Sequence, residues 1–317
     1  MTTAISHILK PLAEFFDDPT TVEMRMNKPK VVVVESRGIG KVRLDAPSLT
    51  LAKIEDMCMA LANLTGVKFH AETSPKLSCI IPVARHRFEC AVGASTPNGV
   101  SMAIRCKHPF DPTWEQVGAT PQVVDYLRSV MDRELNCIVA GATNTGKTTL
   151  VNKLLRFLPD DRRVVALEDT PELEMNRFWD GVSLLAAREA STSNGMLDWR
   201  QLYDHQMRIT PDNVIFGEIS TQNAFAALGS LNSGVTGFMC TIHAESPLQV
   251  LRRKFDQNIA WSGQNMRDVP EFLAELVDVI VQIKRSSDGW RRITDIYEPR
   301  NDCWVMKDGE FLERKAA

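Results

Sequence analysis

The stretch GATNTGKTTL, residues 141–150, constrains this chain more than any other. It completes the pattern G-x-x-x-x-G-K-[ST], with Gly141, Gly146, Lys147 and Thr148 in the required places. Such a loop works only between a strand that enters it and a helix that leaves it. The flanks agree: NCIVAGA ahead of it is an apolar strand, and Lys147 to Leu158 carries helical spacing. Backbone N–H groups of a loop of this kind, and the N-terminus of the helix behind it, aim positive dipoles at phosphate oxygens. The cradle is therefore expected to be Gly141, Ala142, Thr143, Asn144, Thr145, Gly146, Lys147, Thr148 and Thr149. Lys147 would add a point charge at the β and γ oxygens, and the Thr148 hydroxyl is placed to ligate Mg²⁺. The expected ligands are a nucleoside triphosphate and Mg²⁺.

Beyond the loop the pattern alternates. RVVALED, NVIFGE, GFMCTIHA and VDVIVQI are continuous apolar runs separated by helical segments. That is the signature of a buried, mostly parallel sheet with helices on both faces, an α/β fold. Ligands gather at the carboxyl edge of such a sheet. There the chain offers Glu168-Asp169 after VVAL and Glu218 after NVIFG. One carboxylate is needed for the metal and another to orient the attacking water. His243 ends the fourth run, where a histidine can meet the γ-phosphate, bridge to a next subunit or be a satisfied structural side chain. The other histidines (His7, His70, His86, His108 and His205) show no metal-ligand spacing and are given no role.

The first hundred residues read differently. ISHILKPLAEFF at 5–16 places Ile5, Ile8, Leu9 and Leu12 on one helical face, weakened by Pro11. KVVVVESRGIGKVRL reads as a hairpin from Lys30 to Leu44, with Gly38 and Gly40 in its turn. A helix follows with Leu51, Ile54, Met57, Cys58 and Leu61 on one face, closed by Gly66. Strand-like runs come at 77–83, 87–92 and 100–106. This is an α+β pattern over residues 1–106. CKHPFDPTWEQVGATP lacks periodicity and marks a linker at 107–119, ahead of a second domain at 120–317. Thr120 and Pro121 open that domain's first helix as N-cap and first helical residue.

Bulk properties exclude several classes. A net charge of −3 gives no direct sign of nucleic-acid binding, and the clusters Arg162-Arg163, Arg252-Arg253-Lys254 and Arg291-Arg292 read as solvated surface charge. The seven cysteines are scattered without a C-x-x-C, so neither a zinc knuckle nor a disulfide framework is indicated. The N-terminus shows no signal-peptide pattern, and no apolar run approaches the ~20 residues that cross a bilayer. The chain is expected in the cytoplasm.

Taken in order, four motifs resemble those of the hexameric secretion-superfamily ATPases of type IV secretion and conjugation systems. The phosphate loop is GATNTGKTT; ALEDTPEL looks like the family's Asp box; MRITPDNVIFGE looks like its Walker B; SGVTGFMCTIHA looks like its His box. VSMAIRCK matches the end of the family's N-terminal domain. The resemblance is closest to the conjugation branch and spans nearly the whole chain. It implies a C-terminal RecA-like P-loop domain after a smaller α+β domain. It also implies Glu168 as the group that activates water, Glu218 as the Walker B carboxylate in the metal shell with Thr148, and His243 as the His-box histidine. Arg105, Arg87 and Arg208 would reach the nucleotide, since a guanidinium grips phosphate oxygens bidentately; Arg85 and Arg87 read equally as strand-surface charges. Implied partners are copies of the chain in a homo-hexamer and membrane-associated components: a coupling protein, a second secretion ATPase and inner-membrane channel proteins. The implied place is the cytoplasmic side of the bacterial inner membrane.

Two positions depart from the family pattern. Val235 stands where T-G-H has histidine, and Ser220 where G-E-x-R has arginine. They leave open a ring-forming scaffold that binds ATP and hydrolyses it weakly. A pilus or type II secretion ATPase is the other alternative; some of those carry a four-cysteine insertion, whereas residues 219–317 hold only Cys240 and Cys303.

Overall fold

The computed structural model describes residues 9–37, 39–82, 86–108, 111–186, 196–286 and 289–312. Its internal contacts divide the chain into two compact units, Met1–Phe110 and Asp111–Ala317.

In the first unit, antiparallel strands form a six-stranded sheet in the order β3-β2-β1-β6-β5-β4. They are β1 (Thr21–Met26), β2 (Val31–Ser36), β3 (Gly40–Asp45), β4 (Lys76–Ile80), β5 (Arg87–Val92) and β6 (Val100–Arg105). The expected hairpin is β2–β3, with Val31 opposite Asp45 and Ser36 opposite Gly40. Gly40 opens β3 at φ 88°, an angle that costs glycine little. The expected helix is Leu51–Thr65: the Thr50 hydroxyl accepts from the Lys53 amide, and Gly66 closes the helix at φ 69°. Ile54, Met57, Cys58 and Leu61 bury its inner face in the same core as Met24, Met26, Phe88 and Ile104.

Two expectations change here. The sequence reading omits β1, which lies between β2 and β6. Its buried Met24 and Met26 are interleaved with charges, and Arg25 is neutralised by Glu23 at 2.7 Å and by Glu35. Of the single helix expected over 5–16, the described part from residue 9 onward is instead a 3-10 turn, Lys10–Leu12, followed by the short helix Ala13–Asp17. Pro11 sits where a helix begins rather than within one. Ile5, Ile8, His7, Gly38 and Arg85 lie outside the described residues.

The second unit holds a nine-stranded sheet in the order β15-β14-β13-β12-β7-β11-β10-β8-β9. The expected strands are β7 (Cys137–Ala140), β8 (Val164–Glu168), β10 (Asn213–Ile219), β11 (Met239–Ile242) and β12 (Val279–Arg285), all parallel to their neighbours in that run. Along β7, Ile138 and Ala140 enter one hydrophobic core while Cys137 and Val139 enter another. Alternate side chains thus feed the layers on both faces, which is why these strands read as unbroken apolar runs. Not foreseen are β9 (Val182–Leu185) and the antiparallel β13 (Arg291–Glu298), β14 (Cys303–Lys307) and β15 (Glu310–Phe311). Charged Arg291, Arg292 and Asp295 break the apolar pattern of β13.

Residues 111–119, read from sequence within a linker, pack on this second unit. Val117 and Ala119 are buried, Trp114 stacks on Phe157 at 5.4 Å, and the Ile293 amide donates to the Val117 carbonyl. The helix Pro121–Asp132 starts as expected, with the Thr120 hydroxyl accepting from the Val123 amide. The helix after the phosphate loop ends at Leu155 rather than Leu158. Among the described residues no helix is long and apolar enough to cross a membrane.

Candidate functional site

β7 ends at Ala140 and the next helix, Lys147–Leu155, begins after a loop of residues 141–146. The loop's shape depends on its glycines. A Cβ on Gly141 would sit 2.5 Å from the Ile283 carbonyl oxygen and 2.5 Å from Thr145 Oγ1. Gly146 lies at φ 90° and Asn144 at φ 60°. Thr145 is buried, and its hydroxyl donates across the loop to the Ala142 carbonyl at 2.8 Å. Gly141→Ala should therefore force loop and β12 apart, because Ile283 offers backbone rather than a flexible side-chain end. We expect a loss of about 1–3 kcal/mol in stability and at least tenfold in nucleotide affinity, read by thermal melting and by titration with a fluorescent ATP analogue. Parental values for both would show that the loop tolerates the methyl group.

Because β7, β8, β10 and β11 are parallel and adjacent in the sheet, their carboxyl ends lie along one edge. Lys147 is buried there, and its ammonium donates to the Ala142 carbonyl at 3.1 Å and lies 3.0 Å from His243 Nδ1. An ammonium has no acceptor, so His243 Nδ1 is the acceptor and Nε2 carries the ring proton. Nε2 pairs with the Glu218 carboxylate. Lys147, His243 and Glu218 thus form a line from the loop across the edge.

Glu168, the last residue of β8, is buried, and its Oε1 accepts from the amides of Glu172 at 2.8 Å and Leu173 at 3.0 Å. Gly217 leaves room for it: a Cβ there would lie 2.8 Å from Glu168 Cγ. Asp169 is exposed. The end of β10 is fastened beside Glu218 by the Asn223 amide, which donates to the Glu218 carbonyl at 2.8 Å, and by the Thr241 hydroxyl, which donates to the Gly217 carbonyl at 2.6 Å. Thr148 and Thr149 are half-buried in the first turn of the helix.

Both departures from the family pattern have local work. The Ser220 backbone amide, a donor arginine would equally supply, donates to Asn223 Oδ1 at 2.8 Å and orients the side chain that holds the Glu218 carbonyl; the serine hydroxyl itself accepts from the Gln222 amide at 3.3 Å. Val235 is half-buried against the hydrophobic core. Arg208 lies exposed just past the helix Trp199–Gln206. Arg87 and Arg105 stand opposite one another on β5 and β6 of the first unit, Arg105 exposed.

Sequence reasoning passes over two residues at this edge. Gln282, fully buried on β12 opposite Ala140, donates to the Ala244 carbonyl at 3.0 Å and so ties the segment after His243 to the central sheet. Arg291, expected to be solvated surface charge, is half-buried, with Nη2 3.5 Å from Asn144 Oδ1 in the loop. Only the polar character of a residue in an apolar run marks Gln282 beforehand, and nothing local marks Arg291. Arg162 and Arg163 are likewise paired, with Glu134 and with Asp180 at 2.5 Å.

Comparison with known proteins places this arrangement. A family model described as "Type II/IV secretion system protein" matches residues 94–282. The chain belongs to that family. Over 292 residues this secretion-system protein is 32% identical to "Conjugal transfer protein TrbB" of Rhizobium radiobacter, covering 88% of this chain and 84% of that one. It is 25% identical over 331 residues to "Type IV secretion system protein VirB11" of Bartonella quintana, with 91% of each chain covered. The solved "Legionella pneumophila ATPase DotB" superposes with a TM-score of 0.61 at 12% identity, over 93% of this chain and 81% of that one. These relatives agree with the motif reading, both in fold, a RecA-like P-loop sheet, and in class, the type IV secretion and conjugation ATPases.

Proposed function

We propose that this chain is the Mg·ATP-driven traffic ATPase of a type IV secretion or conjugal transfer apparatus. In this reading it works as a hexameric ring against the inner membrane, beside a coupling protein, a second secretion ATPase and inner-membrane channel proteins. The observation that carries the reading is the line Lys147–His243–Glu218 beside buried Glu168, at the edge from which a complete phosphate loop projects.

The residues would divide the work as follows. Loop amides from Gly141 to Thr149 bind the phosphates, and Lys147 exchanges the Ala142 carbonyl and His243 for the β and γ oxygens. Thr148 and Glu218 offer hydroxyl and carboxylate oxygens, the hard donors that suit Mg²⁺, so the donor set fits that ion. When bound, Mg²⁺ offsets the negative charge on the transferring phosphoryl group. Glu168 orients a water and takes its proton as the water oxygen bonds to the γ-phosphorus and the bridge to ADP breaks. Withdrawal of Lys147 would leave His243 and Glu218 to rearrange, which makes them the natural reporters of the γ-phosphate. Arg87, Arg105 and Arg208 complete the proposed phosphate contacts.

A ring whose copies meet head to tail must close on itself, and bound nucleotide should favour closure. Light scattering should therefore show a hexamer with a non-hydrolysable ATP analogue, and smaller species at low protein concentration without it. A monomer under all conditions, with full ATP turnover, would remove the ring. The role in the cell is tested by deleting the gene from its host and following plasmid transfer, protein secretion and pili together. Loss of at least one, restored by the parent chain and not by Lys147→Ala, is the expected result. No change in any of the three would overturn the assignment.

A further inference from the structure

In the first unit three side chains come together: His86, Cys106 and His108. One potential ligand atom from each lies within 4.8 Å of the other two. Chain spacing hides the group, and strand pairing creates it. Arg87 stands opposite Arg105 on β5 and β6, so one step further along both strands His86 and Cys106 arrive at the same end of the sheet. His108 follows two residues later. These histidines show no metal-ligand spacing along the chain; in space His86 and His108 close on Cys106.

The pocket is built and shielded. His86 is 4% exposed and Cys106 6%. Phe16 stacks on the His86 ring at 5.0 Å, and the His108 ring meets it edge-on at 5.5 Å. His108 Nε2 is buried without a hydrogen-bond partner. A buried ring nitrogen with no partner calls for an explanation, and a bound ion is one. The cysteine is a free thiol.

We propose that His86, Cys106 and His108 form a binding site for a borderline-soft divalent cation, with Zn²⁺ the best match to two imidazoles and a thiolate. Tetrahedral Zn²⁺, with Zn–N about 2.0 Å and Zn–S about 2.3 Å, holds two nitrogens and a sulfur about 3.3–3.5 Å apart. The three groups would close by about 1 Å, a shift that ring rotation supplies. His86 Nδ1 now accepts from the Lys107 amide at 3.0 Å. The ion either takes that lone pair or binds Nε2 while the ring proton moves to Nδ1; both routes displace the Lys107 amide. Cys106 loses its thiol proton to solvent, so one proton leaves per ion bound. Three protein ligands leave one coordination position for water or a further donor. The ion would clasp the start of β5 to the exit of β6.

The test uses the full chain, stripped with a chelator and titrated with Co²⁺ as a spectroscopic stand-in, without nucleotide. Expected is saturation at one equivalent, with thiolate-to-cobalt absorption and the intense visible bands of a tetrahedral ion, all displaced by Zn²⁺. Cys106→Ser should abolish the thiolate band, Cys303→Ser should leave it, and His108→Asn should weaken Co²⁺ binding at least tenfold. No saturable thiolate band in the parent chain, or the same band in Cys106→Ser, overturns the site. Should Cys106→Ser fail to fold, His108→Asn decides: unchanged Co²⁺ affinity in that variant also overturns it.

Discussion

Lys147→Ala should lower ATP turnover by roughly 10²–10³-fold or more, the loss expected when a preorganised charge on the reacting group is removed. The side chain is buried, and the Ala142 carbonyl and His243 are among its partners, at the loop and the sheet edge rather than in either hydrophobic core. Stability should therefore fall by no more than about 1–2 kcal/mol, which melting curves will show. The fold stays and the chemistry goes. Phosphate release by the variant at the parental rate would mean that this loop is not the hydrolytic site.

Glu168→Gln and Glu218→Gln should both stop turnover while differing in what they bind. Glutamine at 168 keeps a carbonyl oxygen to accept the Glu172 and Leu173 amides, so β8 and its following turn hold their shape. It has no basicity to take a proton from water. We expect a fall of about 10²–10⁴-fold in kcat with nucleotide affinity preserved. Glutamine at 218 can still accept from His243 Nε2, yet it removes the charge facing the proposed Mg²⁺. Affinity for Mg·ATP should weaken by about 10–100-fold, while metal-free ATP binding changes little. Equal affinities in the two variants, measured calorimetrically with and without Mg²⁺, would contradict this division.

What the sequence makes legible here is what local chemistry encodes. The phosphate loop, its helix, the buried parallel strands and the capped helix at Thr120 each carry their signal within about ten residues. That Glu168 and Glu218 share one edge is legible because the carboxyl ends of neighbouring parallel strands lie together. The rest depends on partners distant along the chain. β1 alternates Met24 and Met26 with Glu23 and Arg25, and only the ion pairs with Glu35 and within the strand make those charges tolerable in the sheet. Arg291 reads as a surface charge until β13 folds back beside β12 and carries it to Asn144. The pairing of His243 with both Lys147 and Glu218 joins three elements that no spacing rule connects. Ser220 and Val235 read as losses in a motif, and the structure shows a turn fastening and a packed valine in their places.

The most direct test of the central claim is phosphate release by the purified full chain at saturating Mg·ATP, per subunit, with Mg²⁺ withdrawn in a parallel run. A traffic ATPase built on this site should release phosphate continuously, saturably and only with the metal present. Stoichiometric ATP binding with no release beyond the Lys147→Ala background would contradict the account and leave a nucleotide-binding scaffold in place of a motor.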